Sequence, residues 1–188
     1  ASLGAMTLIK TLTASSSATL SFVHGTSSVV LNSTYPIYKF EFINIHPATN
    51  DISFQFQGSI DAGSNYNVAI TSTHFRATHG EDASSEALAY ITGGDLAQAT
   101  GFQLLAGSVG NDADQSLSGE LFIYNPSSTV FVKHFSGNFQ SIAHSDRTNN
   151  QYPAGYFNST SDIDAVQFKF NSGNIDSGTI KLYGIKDS

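Results

Sequence analysis

The chain has 188 residues, a size that fits one domain built around a single hydrophobic core. Charged residues make up only 12% of it, and the formal net charge of −7 comes with no basic run, which excludes the electrostatic signature of a nucleic-acid-binding protein. The absence of cysteine excludes disulfides and thiolate zinc sites, and no apolar stretch approaches the roughly 20 residues that span a bilayer, so we expect no membrane insertion.

Alternation of apolar and polar residues, the pattern of a half-buried β-strand, recurs along the chain. In chain order it predicts strands at residues 18–23, 28–31, 38–42, 52–57, 66–75, 119–124, 129–135, 165–170 and 179–185. Clusters of turn-forming residues, such as residues 61–65 and 171–174, separate several of them. Many short strands with no alternating helices predict an all-β fold, a single antiparallel β-sandwich or jelly-roll-like domain.

Two of these strands carry additional information. After the regular alternation of residues 38–42, the apolar phase shifts at residues 43–45, which predicts a bulge or bend that changes the buried face. In the next strand, Ile52, Phe54 and Phe56 alternate with polar residues that include Gln57. This strand is therefore predicted to have one dry face and one face of amides and hydroxyls.

One segment, about residues 80–104, interrupts the strand pattern. Residues 81–89 have some helical propensity, which Gly93 and Gly94 cut short, so we expect a long loop excursion with one helical turn. No change of composition marks a linker, and the whole chain, residues 1–188, is predicted to be one domain with residues 1–6 as an extended N-terminal arm. The fourteen phenylalanines and eight tyrosines are expected to fill much of its interior.

The residues that could support catalysis do not form a recognisable motif. The six histidines show no metal-binding spacing, and packing or surface roles are favoured over zinc or catalysis. They are His24, His46, His74, His79, His134 and His144. Carboxylates that could pair for glycoside hydrolysis are Glu41, Glu120, Asp162 and Asp164, but this chemistry requires a spatial separation that a sequence does not give. We therefore predict a protein that is not an enzyme, with no catalytic residue and no cofactor.

A candidate cation site lies in residues 111–115. Asp112 and Asp114 could offer carboxylate oxygens to calcium from a turn before a predicted strand. The full pattern of a calcium loop is missing, and Glu120 is the only acidic residue nearby on the far side. An Asx turn explains the same residues through backbone hydrogen bonds, and it is the favoured interpretation.

Several tyrosines occur in or near predicted loops, on a chain that is rich in amides and hydroxyls and poor in lysine. Tyr66, Tyr90, Tyr152 and Tyr156 are the candidates for contact with a glycan or a protein partner, and Phe157 belongs to the same group. Sugars present apolar C–H faces to aromatic rings and hydroxyls to polar groups, although the same rings also suit protein interfaces or a core.

Several longer stretches carry a family resemblance. They are residues 42–51 (Phe-Ile-Asn-Ile-His-Pro-Ala-Thr-Asn-Asp), residues 56–66, residues 110–116 with 125–129, and the ending at residues 178–186 (Gly-Thr-Ile-Lys-Leu-Tyr-Gly-Ile-Lys). Together they resemble small β-rich virion proteins of tailed bacteriophages, especially marine ones, of the tail or fibre type or of the capsid surface. The resemblance extends from about Thr7 to Lys186.

The resemblance implies a structural role on the exterior of a phage particle that is assembled in the bacterial cytoplasm. A tail, fibre or host-adhesion component is the leading expectation, and a capsid decoration protein is the alternative. The expected partners are other virion proteins, further copies of the same chain with a trimer favoured, and host surface polysaccharide. From a different functional class, a lectin-like glycan-binding module is also open.

Overall fold

The computed structural model describes residues 6–186, and this part of the chain is all-β, as predicted. Its strands are β1 (Met6–Thr13), β2 (Leu20–Val23), β3 (Ile37–Pro47), β4 (Ile52–Ser59), β5 (Ile70–Gly80), β6 (Ala87–Tyr90), β7 (Gln103–Val109), β8 (Leu117–Tyr124), β9 (Lys133–Ala143), β10 (Arg147–Phe157), β11 (Ala165–Phe170) and β12 (Ile175–Ile185). Among residues 6–186 there is no helix that could cross a membrane.

The strands form one antiparallel sheet that folds back on itself as a sandwich. Its larger layer has the strand order β1-β12-β3-β8-β9-β10-β5-β6, and its smaller layer has the order β7-β4-β11-β2. A single pairing between Val109 of β7 and Ala143 of β9 joins the two layers. Met6, which we had assigned to an N-terminal arm, belongs to β1, and residues 1–5 lie outside the described residues.

Phenylalanine rings from both layers meet in the interior. Phe168 of β11 is fully buried at the centre of this group. Its ring centroid lies 5.0–6.2 Å from those of Phe22, Phe40, Phe42, Phe54 and Phe56. Since Phe40 and Phe42 belong to β3 of the larger layer, the cluster joins the two layers through edge-to-face ring contacts. The expectation that large rings fill the core is confirmed.

The predicted change of phase in β3 is a β-bulge. The pairing of β3 with β8 shifts register between Phe42 and Ile45, and the opposite neighbour, β12, shifts at the same place. Asn44 has a φ of 49°, in the left-handed region that asparagine tolerates better than most residues. The bulge allows Phe42 and Ile45 both to face the core although they are three residues apart.

One predicted strand is absent from the described residues, another begins later than predicted, and several strands were missed. Residues 28–31 and 129–132 are loops or turns, whereas β1, β6, β7, β10 and most of β9 were not predicted. β10 has Asn149, Asn150 and Pro153 in its interior, and a proline normally argues against an interior strand. Pro153 is accommodated because the pairing of β10 with β9 is interrupted between Gln151 and Ala154, where its missing N–H is not needed.

The excursion at residues 80–104 differs from its prediction. Residues 81–89 contain no helical turn, and β6 instead pairs with the edge of β5. The loop that follows covers Gln57, whose side-chain amide donates to the carbonyls of Thr100 (3.2 Å) and Gly101 (2.8 Å). Gln57 is therefore fully buried, and the prediction of an exposed amide face on β4 is wrong at this residue because the excursion folds over it.

Candidate ligand-binding face

The outer face of the larger layer, the face turned away from the core, carries a row of three aromatic side chains on neighbouring strands. Tyr90 of β6 lies opposite Phe75 of β5, and Phe75 lies opposite Tyr152 of β10. The rings of Phe75 and Tyr152 are stacked, with centroids 4.8 Å apart and planes at 13°. We refer to Tyr90, Phe75 and Tyr152 as the aromatic row. It runs across the strands as a partly exposed apolar surface.

Small side chains occupy the next register of the same face. Thr73 lies opposite Ala154, and Ala154 lies opposite Ser136 of β9. Since side chains two residues apart in a strand share a face, this second row is adjacent to the aromatic row. The change from large to small side chains produces a depression whose floor is formed by Thr73, Ala154 and Ser136.

Larger side chains border this floor on its far side. Tyr156 lies opposite His134, with ring centroids 6.1 Å apart, and Tyr124 shares a hydrogen bond with Ser136 (Oη to Oγ, 3.1 Å). These residues and the floor enclose a depression of about 470 Å³, which we call the groove. Among residues 6–186, no Asp, Glu, Lys or Arg side chain lines it. The groove therefore offers ring faces, hydroxyls and one imidazole, a combination suited to an uncharged, hydroxyl-rich ligand.

The structure brings together three of the four predicted tyrosines. Tyr90, Tyr152 and Tyr156 all lie on the outer face, although Tyr152 and Tyr156 are in β10 and not in loops. Tyr66 lies apart from them in the loop between β4 and β5, beside Gly63 and the smaller layer. Phe157, which we had grouped with the loop aromatics, is fully buried in the core. Phe75 was missed as a site residue because nothing in the sequence shows which strand is next to β10.

Tyr90 is held in place by an acidic neighbour. Its hydroxyl donates a hydrogen bond of 2.6 Å to the Asp95 carboxylate. This hydrogen bond raises the pKa of Tyr90, because ionisation would remove the proton that the carboxylate accepts. The phenol is neutral at physiological pH, and the hydrogen bond ties the end of the aromatic row to the loop that follows β6.

The calcium candidate at residues 111–115 is an exposed turn closed by Gln115. The backbone N–H of Gln115 donates to the carbonyl of Asp112 (2.8 Å), and its side-chain oxygen accepts from the Asp112 N–H (3.2 Å). Within residues 6–186 there is no group of three or more His, Asp or Glu side chains arranged to hold a metal. Calcium binding by Asp112 and Asp114 stays a prediction.

The carboxylates considered for hydrolysis are placed in two regions. Glu41 and Glu120 lie opposite each other on β3 and β8, and Lys39 is near both, at 2.9 Å from Glu120 and 3.8 Å from Glu41. Asp164 instead accepts hydrogen bonds from the backbone N–H of Ala62 in a loop of the smaller layer. The pair at Glu41 and Glu120 is thus part of a cross-strand ion cluster on the outer face.

Four histidines have polar partners or exposed positions. His144 lies 3.0 Å from Asp51, His79 lies 3.2 Å from Glu86, His24 accepts from the N–H of Leu31, and His134 lines the groove. His74 differs, because it is fully buried beneath the aromatic row and neither of its ring nitrogens has a hydrogen-bond partner in the described part of the chain. Burial lowers the pKa of His74, and the charge of Arg76 lowers it further. The Gln151 side chain and the backbone of Gly94 and Leu104 lie close enough to oppose this shift in pKa, although none of them meets the geometry of a hydrogen bond to the ring.

The burial of His74 predicts a loss of stability on mild acidification. The ring is neutral in the folded protein, whereas in the unfolded chain it gains a proton near pH 6.5, so stability is full above that pH and falls as the pH drops below it. We expect the melting temperature to decrease between pH 7 and pH 5.5. His74→Leu should flatten this dependence, and the control His134→Gln, at an exposed imidazole, should retain it. An unchanged slope in His74→Leu would contradict the assignment.

No protein-family model matches this chain, and no curated protein matches it.

Proposed function

We propose that this chain is a non-enzymatic host-adhesion component of a tailed-phage particle that binds surface polysaccharide in the groove. The observation that supports this proposal most directly is the stacked aromatic pair, Phe75 and Tyr152, next to the uncharged groove. The expected role in a particle comes from the sequence resemblance, and the groove supplies the part of the surface that would contact the host. The lectin-like function and the adhesion function are thus one proposal.

The chemistry of the groove supports a sugar as its ligand. A pyranose ring can pack its C–H face against the exposed side of the aromatic row while its hydroxyls reach Thr73, Ser136 or Tyr124. The floor spans three strands, about 10 Å at the usual strand spacing, which gives room for a short oligosaccharide lying across the strands. A ligand with ionised groups would find no paired charge among the residues that line the groove.

Glycan binding can be tested with host envelope polysaccharides on an array and by calorimetry. We expect Tyr152→Ala and Phe75→Ala each to weaken binding about tenfold, because an aromatic stacking contact contributes about 1 kcal/mol or slightly more. Tyr66→Ala is the matched control, since Tyr66 is the same residue type on the other side of the molecule. The Tyr66→Ala variant should bind the polysaccharide with the same affinity as the unmodified chain.

Three outcomes would contradict this proposal. A blank array at high protein concentration would exclude glycan binding, and equal losses in Tyr152→Ala and Tyr66→Ala would place the ligand elsewhere. Release of soluble sugar from the polysaccharide would show hydrolysis and would overturn the non-enzymatic assignment. Thermal unfolding of each variant would verify that lost binding is not lost folding.

The position in the particle requires a separate experiment. Imaging of intact particles should show density for this chain in the tail or fibre apparatus. Density at the icosahedral lattice of the head would instead support the capsid decoration role.

A further inference from the structure

The two outermost strands of the larger layer differ in how their free edges are protected. In the described residues, β1 pairs only with β12, and β6 pairs only with β5. β1 has a register shift between Leu8 and Lys10 and carries the charge of Lys10, two features that discourage edge-to-edge pairing. β6, with the sequence Ala-Leu-Ala-Tyr, has no lysine, no proline and no register shift. Its edge is open to pairing with a further strand.

β6 is also exposed along its whole length. Leu88 is 77% exposed and Tyr90 is 52% exposed, and Ala87 and Ala89 are exposed as well. An apolar strand that is held only by one neighbour buries little of its surface in the single chain. Pairing with a second strand would satisfy the free backbone groups of the edge and cover the flanks of these side chains.

The charge of the chain indicates which strand pairs with the free edge of β6. The net charge of −7 makes most of the surface repel another copy, whereas residues 87–94 contain no charged side chain. We infer that the β6 edge pairs with the β6 edge of a second copy, antiparallel, around a two-fold axis at Ala89. Edge pairing of this kind gives a dimer, in place of the trimer expected from the resemblance.

This register suits the side chains on both faces. A two-fold axis perpendicular to the sheet places Leu88 opposite Tyr90 of the second copy on the same face, an aliphatic–aromatic pair that stabilises sheets. Glu86 then lies toward the turn at residues 91–94 of the second copy, so the two glutamates do not face each other. The outer faces of both copies lie on one side, and their grooves face the same direction. The dimer itself does not depend on what the groove binds.

Sedimentation of the full chain tests the pairing. We expect a dimer at micromolar concentration, and a monomer for Ala89→Lys, since the substitution places two ammonium groups opposite each other at the axis. The control is Val130→Lys, at a loop residue that is 70% exposed and distant in sequence from β6, which should remain dimeric. An unchanged circular dichroism spectrum for Ala89→Lys would show that the fold is intact.

Crosslinking provides a second test that does not require dissociation. Because the chain has no cysteine, Ala89→Cys should give a covalent dimer under oxidising conditions, whereas Ala87→Cys, which does not face its own copy, should give little. A chain that is monomeric up to high micromolar concentration would overturn the inference. So would a dimer or trimer that is insensitive to Ala89→Lys and is not crosslinked by Ala89→Cys.

Discussion

Phe168→Ala should destabilise the protein by about 4 kcal/mol, the largest single effect that we expect. The ring of Phe168 is fully buried and contacts five other phenylalanines from both layers of the sandwich. Removing it leaves a cavity that rigid neighbouring rings can fill only in part, so the cost includes both the lost burial and the cavity. Urea unfolding followed by circular dichroism would measure the change.

Two further variants make this result interpretable. Phe168→Leu, which keeps most of the apolar volume, should cost about 1.5 kcal/mol and remain measurable if the alanine variant fails to fold. Phe131→Ala, at a phenylalanine that is 71% exposed in the loop between β8 and β9, should change stability by no more than about 0.5 kcal/mol. If Phe168→Ala costs no more than Phe131→Ala, the two layers do not pack through this cluster.

Lys133→Met should cost about 3 kcal/mol, although it replaces a charged residue in the interior with an apolar one of similar length. Lys133 at the start of β9 is fully buried, and its ammonium donates to the carbonyls of Ser159 (3.0 Å) and Ser161 (2.5 Å). Burial lowers the pKa of Lys133, and the charge of Asp162 partly opposes this. Methionine would remove two charge-assisted hydrogen bonds and leave both carbonyls without their donor.

The loss should be concentrated in the loop between β10 and β11. We expect hydrogen exchange in residues 158–164 to become faster in Lys133→Met by more than in the rest of the sheet, because the ammonium is what ties this loop to β9. Lys181→Met, at a lysine on the outer face of β12, is the matched control and should change stability by no more than about 0.5 kcal/mol. Equal stability of the two variants would show that Lys133 does not hold the loop.

The candidate ligand-binding face shows which site residues can be predicted from the sequence and which cannot. Tyr90, Tyr152 and Tyr156 could be selected from composition and from the chemistry of sugar binding, but their neighbours could not. Tyr152 stacks on Phe75, which is 77 positions earlier in the chain, only because β10 pairs with β5 in one particular register. Tyr66 satisfied the same sequence criteria and lies on the other side of the molecule, which the sequence does not distinguish.

The buried polar residues were the least predictable part of the fold. Gln57 alternates with apolar residues and would be exposed on an open sheet, yet the excursion covers it and satisfies its amide with backbone carbonyls. Lys133 lies inside a predicted strand as an ordinary charged residue, and its burial depends on a loop from beyond β10. In both cases a distant segment supplies hydrogen bonds that make burial of a polar group possible.

The amino-acid sequence by itself determined the class of the fold, because a chain with alternating apolar residues can bury them on one side only as strands. It also located the bulge in β3 through the change of phase at residues 43–45. Only the tertiary structure decided which strands are neighbours, that β10 is an interior strand despite Pro153, and that three aromatic side chains form one row beside a floor of small ones. The physical reason is that strand pairing is made by backbone hydrogen bonds, which every residue except proline can form, so the choice of partner leaves little trace in the side chains of a single strand.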